Sequence, residues 1–165
     1  MPTKPKAATS FDVVHSLLNA FDINDRINGY LIENLPAAAW SSAPANAKGR
    51  TIAAMFAHMH NVRLMWLKSA NYSGKTPEKL DGESVTPKEA ALALAASCRA
   101  LREVLGQSFS SDGRIKGFKP DAAAFLSYLI AHDAHHRGQA AMLARQLGYS
   151  LPKSAGYGLW EWGVR

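Results

Sequence analysis

The chain holds one cysteine, Cys98, among its 165 residues. A single thiol excludes an intramolecular disulfide and any zinc site built on several cysteines. No apolar run reaches the ~18–20 residues needed to cross a bilayer. The N-terminal stretch is basic but lacks the apolar segment of a secretory signal. Residues 1–9 therefore read as a short disordered lead-in, residues 10–165 as one domain, and the protein as cytoplasmic. Nothing alternates at the period of a β-strand, and the chain has no internal repeat, phosphate-binding glycine loop or low-complexity tract. Acidic residues are the scarcer charge, 13 against 19 Lys and Arg, for a net +6. The basic residues are scattered, with no continuous stripe and no interleaved aromatic ladder, which favours a solvated basic surface over nucleic-acid binding.

Apolar residues make up 47% of the chain, ample for a core. They recur three or four positions apart in four long segments, so an all-α helical bundle is expected. The first helix spans Phe11 to Leu35, with Ser10 as N-cap and Val14, Leu17, Leu18, Phe21 and Leu31 on its apolar face. Asn24, Asp25, Asn28 and Gly29 interrupt that face in its second half, and His15 beside it reads as structural or exposed. Residues 36–48, rich in Ala, Ser and Pro, read as a loop. A second helix, about Gly49 to Ala70, carries Ile52, Met55, Phe56, Met59, Val62, Trp66 and Leu67 inward. Thr86-Pro87-Lys88-Glu89 opens a third helix as a capping box with proline in the first turn. That helix runs to about Gln107, with Cys98 as a small core residue and not a nucleophile. Pro120-Asp121 opens the fourth helix and Gly148 closes it. The connectors exceed the usual two to eight residues between bundle neighbours, so the 71–85 segment is long enough for a crossover. Tyr157, Trp160 and Trp162 give the tail enough aromatic area to fold back over the bundle.

The fourth helix holds the most informative stretch, Ile130-Ala-His-Asp-Ala-His-His-Arg-Gly-Gln139. On a wheel at ~100° per residue with Phe125 at zero, His132 and His136 fall near −20° and +20°. Both then sit at the centre of the inward stripe. His135 falls on its flank, Asp133 and Arg137 point to solvent, and Gln139 shares the inward face one turn on. A buried imidazole must satisfy two ring nitrogens and cannot cheaply carry charge. Two of them four residues apart present both rings to one point, the geometry of two ligands from one helix to a divalent ion. A third ligand must come from elsewhere. His58 and His60 of the second helix are ~200° apart, so only one can join the pair, and periodicity does not choose between them. Mid-helix Gly138 leaves room for close packing or another chain.

Two motifs resemble the DinB/YfiT-like family of four-helix-bundle metalloproteins. His132-Asp-Ala-His-His136-Arg-Gly-Gln139 is similar to that family's His-x-x-x-His-Arg-Gly-Gln signature. Thr51-Ile-Ala-Ala-Met-Phe-Ala-His58 is similar to its second helix, and helix order agrees over about residues 10–150. The resemblance implies an up-down-down-up bundle, a homodimer, and a divalent metal on His58, His132 and His136 with open positions. It selects His58 over His60. Gln139, by its inward position a turn beyond His136, is expected to orient a ligand or bound water from behind.

Three neutral histidines with an open position suit catalysis better than a closed structural site. The functional expectation is a metal-dependent enzyme, a thiol transferase or hydrolase, acting on a small molecule; thiol transfer with a low-molecular-weight thiol is what the resemblance implies. The metal would be zinc, nickel, iron or manganese, all compatible with imidazole. The alternative is a non-enzymatic metal-binding or stress-response protein.

Overall fold

The computed structural model describes residues 10–42 and 49–165. The lead-in expected at residues 1–9 and much of the connector before the second long helix lie outside the described residues. Among the described residues six helices form: α1 Val13–Asn34, α2 Ala37–Trp40, α3 Ile52–Ser69, α4 Pro87–Phe109, α5 Ala122–Gln146 and α6 Lys153–Gly158. There is no strand among the described residues, and no helix is long and apolar enough to cross a membrane. The long helices pack into an all-α bundle in which α1 and α3 each contact both α4 and α5.

Each long helix starts at a side-chain oxygen that accepts an otherwise orphaned backbone N–H. Asp12, not Ser10, caps α1 by accepting from the His15 backbone N–H at 2.9 Å. Thr51 caps α3 and Asp121 caps α5. Thr86 and Glu89 form the expected capping box on α4. Gly148, at φ +85°, follows the end of α5, a left-handed conformation that glycine adopts without steric cost.

Two helices are shorter than the periodicity of apolar residues can reveal. One is α2, inside the stretch read as a loop. It buries Trp40, whose indole N–H donates to the Val85 carbonyl at 2.7 Å and whose ring stacks on Phe56 at 5.4 Å. The other is α6, which carries the tail onto α1. The tail docks differently from the aromatic burial expected. Trp160 is 82% exposed and Tyr157 65%. The contact is made by Arg165, whose guanidinium lies 3.7 Å from the centre of the Tyr30 ring, a cation–π arrangement. Its backbone oxygen accepts from Arg26.

The 71–85 connector runs back along α3. Asn61 holds it by a reciprocal pair, its amide donating to the Leu80 carbonyl at 2.9 Å and accepting the Leu80 N–H at 3.0 Å. Gly82 lies against Ala54 near the start of α3, while Tyr72 beyond its end donates to Glu103, far along α4.

The interior has two apolar clusters. One gathers Leu31, Phe56, Met59, Leu94 and Leu143. The other gathers Phe21, Leu67, Leu101, Leu105 and Phe125. Between them runs a buried polar layer. Arg63, 1% exposed, donates to Asp25 at 2.7 Å, to the Leu94 carbonyl at 2.8 Å and to Asp133 at 2.6 Å. Asn24 and Asn28 each donate an amide N–H to the same Asp133 oxygen, at 2.7 and 2.9 Å. Their amide oxygens accept from Arg137 at 2.7 and 2.6 Å. Two arginines and two aspartates make the layer neutral overall. Burial alone would lower the pKa of Arg63, but Asp133 and Asp25 raise it on balance, so the guanidinium stays charged. The polar residues that interrupt the α1 face in the sequence are thus its core contribution here.

Removing one partner of such a pair strands a desolvated charge, which typically costs about 3–5 kcal/mol. Asp133→Ala is expected to lower unfolding stability by about that amount, read as a shift in the urea midpoint. A loss under about 1 kcal/mol, the scale of an exposed pair, would contradict the buried-layer account.

Candidate metal centre

The site forms where α3 meets α5. His58, His132 and His136 bring one ring nitrogen each to within 4.8 Å of one another. The ring centres stand 5.4 Å apart for His58 and His132, 4.8 Å for His58 and His136, and 4.6 Å for His132 and His136. Such a group can hold a metal ion, and rotation about the side-chain torsions can close this spread toward the ~3.3 Å that separates two nitrogens each ~2.0–2.1 Å from a tetrahedral ion.

The four-residue spacing on α5 supplies two of the rings, and α3 supplies the third. His60 is used elsewhere. Its Nε2 donates to the Glu78 carbonyl at 2.9 Å and its Nδ1 lies 3.1 Å from Ser97 Oγ. Both nitrogens are satisfied, so His60 ties the returning connector and α4 to α3. His58 faces α5, and neither of its ring nitrogens has a hydrogen-bond partner among the described residues. His135 is exposed, with its ring 5.0 Å from that of His136. His15 is exposed on α1.

Gln139, one turn beyond His136, accepts from the His136 Nδ1 at 2.7 Å. That bond fixes the ring orientation and leaves Nε2 as the free nitrogen. Tyr128, one turn before His132, stacks on its ring at 5.9 Å and joins a cluster with Trp66, Phe118 and Phe125.

The structure corrects the reading of Asp133 and Arg137 as solvent-facing. Asp133 is 1% exposed and Arg137 is half-buried. The wheel was centred on Phe125 and Leu143, which lie at one edge of the buried arc. Buried α5 residues run from about 0° at Phe125 through about 40° at Leu129 and 80° at Asp133 to about 100° at Leu126 and Ala144. The true centre is near 50°. Asp133 falls inside the arc, and His132 falls at its rim, where α5 meets α3. A carboxylate therefore does stand beside the histidines: Asp133 Oδ1 is 4.0 Å from His132 Nδ1, while Oδ2 carries the core hydrogen bonds. Arg63 also went unnoticed in the sequence. Its only signal is a charge falling on the same arc as Phe56, Met59 and Leu67. Gly138 has open space around it and no close neighbour in the chain.

All three histidines are held below the ordinary imidazole range, first by burial. His58 falls to about 4, with Arg50, His136 and His132 adding repulsion. His132 is lowered further by His136. His136 is lowered in spite of its Gln139 bond. The rings are neutral at pH 7, the state that ligation requires. Cys98 stays a core thiol: burial pushes its pKa up, away from a reactive thiolate.

These shifts set the pH dependence of the metal-free fold. The unfolded chain protonates its histidines near 6.5, while folded His58 stays neutral down to about 4 and His132 and His136 are likewise lowered. The unfolded state binds more protons in that window, so stability falls as pH drops from ~6.5 toward 4. Urea midpoints of metal-free protein at pH 7.5 and pH 5 are expected to show this loss, and it should shrink in His58→Ala. Equal midpoints for the wild type would contradict it.

No curated protein matches the chain. A family model described as the DinB family matches residues 1–162. That span takes in both the α3 histidine and the α5 pair, and by it the chain belongs to the DinB family.

Proposed function

We propose that His58, His132 and His136 hold one divalent ion, and that the chain is a metal-dependent enzyme acting on a small molecule, as a thiol transferase or hydrolase. The observation that carries this reading is the convergence of three neutral ring nitrogens from two helices. An ion with three protein ligands keeps a position open for substrate, and imidazole suits zinc, nickel, iron or manganese. When bound, it would supply Lewis acidity and make a nucleophile available near neutral pH.

The chain's own residues do the rest. Gln139 holds His136 with Nε2 toward the other rings. Tyr128 limits rotation of His132 from one side, and Asp133 stands on its Nδ1 side. Asp133 Oδ2 is committed to three donors and Oδ1 stands 4.0 Å from His132 Nδ1, so this carboxylate serves the core and the orientation of that ring. This supports activation at the ion itself over a protease-like mechanism.

The helix contacts also support the up-down-down-up order that the resemblance implies. His58 lies by His136 and Trp66 by Phe125, an antiparallel α3 and α5. The returning connector makes α3 and α4 parallel. The implied homodimer would show as a solution mass of twice 17.9 kDa by light scattering, and a monomer mass at micromolar concentration would remove it.

Elemental analysis of the protein without a histidine tag is expected to give about one divalent ion per chain. His58→Ala, His132→Ala and His136→Ala should each abolish stoichiometric binding, and Gln139→Ala should weaken it about tenfold or more. His135→Ala should leave it intact, and His60→Ala should lower stability while keeping metal. Because all three rings resist protonation, affinity should begin to fall only below the ~6.5 of free imidazole. A wild-type chain that takes up no ion would end the reading. A loaded chain without turnover of thiol or ester substrates would return it to non-enzymatic metal binding.

A further inference from the structure

A cleft of about 280 Å³ opens beside the histidines, between the start of α3 and the second half of α5. Its lining includes Arg50, Met55, Gln139, Leu143, Met142 and Gln146. Gln139 is the residue bonded to His136, so the cleft and the histidine cluster share a wall. Arg50 lies close enough to lower the pKa of both His58 and His136.

The electrostatics of the cleft have one sign. Among the described residues Arg50 is the charged group of the lining, and none of the lining residues is a carboxylate. Arg50 precedes the Thr51 cap, so the cleft also lies at the positive end of the α3 dipole. Gln139 and Gln146 are two turns apart on one α5 face and offer amide donors. Met55, Met142 and Leu143 form an apolar wall, and Met142 is 49% exposed. At ~30 Å³ per water the volume equals about nine waters, which suits a ligand of similar heavy-atom count.

We infer that this cleft is the substrate subsite of the histidine centre, and that it takes a small carboxylic acid with a short apolar chain. The carboxylate would pair with the Arg50 guanidinium, a two-pronged fit that a lysine cannot reproduce. The chain would lie along the methionines, which adapt to varied apolar shapes. The inference rests on the proposed metal-dependent activity for its chemistry, though binding in the cleft does not require the ion.

Hexanoate serves as the probe, titrated calorimetrically into the full chain, with hexan-1-ol and hexylammonium as comparators. Metal-free protein is used first, because a carboxylate can itself ligate an ion. Hexanoate should bind in the millimolar range, both comparators more weakly, and added salt should weaken it. Arg50→Gln should weaken it about tenfold, the lower end for a charged hydrogen bond at an open site. Met142→Glu, on an exposed wall where folding is undisturbed, should abolish it by placing a like charge in the cleft. Hexanoate binding no tighter than hexan-1-ol, or equally tight in Arg50→Gln, would overturn the inference. So would undiminished binding in Met142→Glu. Metal content of the same samples is measured separately. A chain that holds its ion but shows no Arg50-dependent binding loses this subsite and keeps the metal reading. A chain with Arg50-dependent binding but no ion keeps an acid-binding cleft and loses the metal reading.

Discussion

The ion pair between Arg63 and Asp133 is the constraint on which the rest of the bundle depends. An arginine cannot discard its charge when buried, so every neighbour must accommodate it. Asp25 from α1, the Leu94 carbonyl from α4 and Asp133 from α5 do so together. One side chain of α3 thus binds the other three long helices. Asn24 and Asn28 complete the arrangement, since each amide donates to Asp133 and accepts from Arg137. Such layers add little net stability compared with apolar packing, but a half-satisfied one is strongly destabilising. The two apolar clusters on either side supply the burial, and the polar layer determines which helix faces meet.

The histidine site is built against this layer. His132 precedes Asp133 in sequence, and His58 lies five residues before Arg63, so the histidine cluster and the core pair sit on the same stretches of α3 and α5. His58 and His132 are partly exposed and His136 is buried, and the buried pair lies behind them. This position accounts for the lowered pKa values: the rings are partly desolvated and close to one another. The same proximity brings the Asp133 carboxylate, anchored through Oδ2, to 4.0 Å from His132.

How much was legible follows from the range of each interaction. The capping box of Thr86 and Glu89 spans three residues and could be read directly. So could the α5 pair, because four residues in a helix fix two side chains relative to each other. The choice of His58 over His60 could not be read from periodicity. It depends on which flank of α3 meets α5, and that follows from the returning connector held by Asn61 and His60. Here the resemblance to a family supplied what the wheel lacked. The polar layer is hidden from periodicity for a related reason. A wheel oriented by apolar residues sends every charge to solvent, so Asp133 and Arg137 were turned outward, and Asn24 and Asn28 looked like interruptions. Their partners lie more than a hundred positions away in the chain, and no local pattern reports them. The short helices α2 and α6 escaped because a single turn has no period to detect.

Asp133 meeting three donors at one oxygen has a consequence for the rotational phase of α5. Apolar side chains slide past one another with little penalty, so a helix seated only by leucines can settle at several nearby angles. A carboxylate oxygen holding three short hydrogen bonds tolerates far less turning before its donors are left unmatched. Polar groups buried at single positions are known to select register in this way. Asp133 indexes α5 to one angle, and with it the angle at which the adjacent His132 and the nearby His136 meet α3. The aim of the two rings is thus set by a hydrogen-bond count in the core, one residue away and out of reach of any ligand.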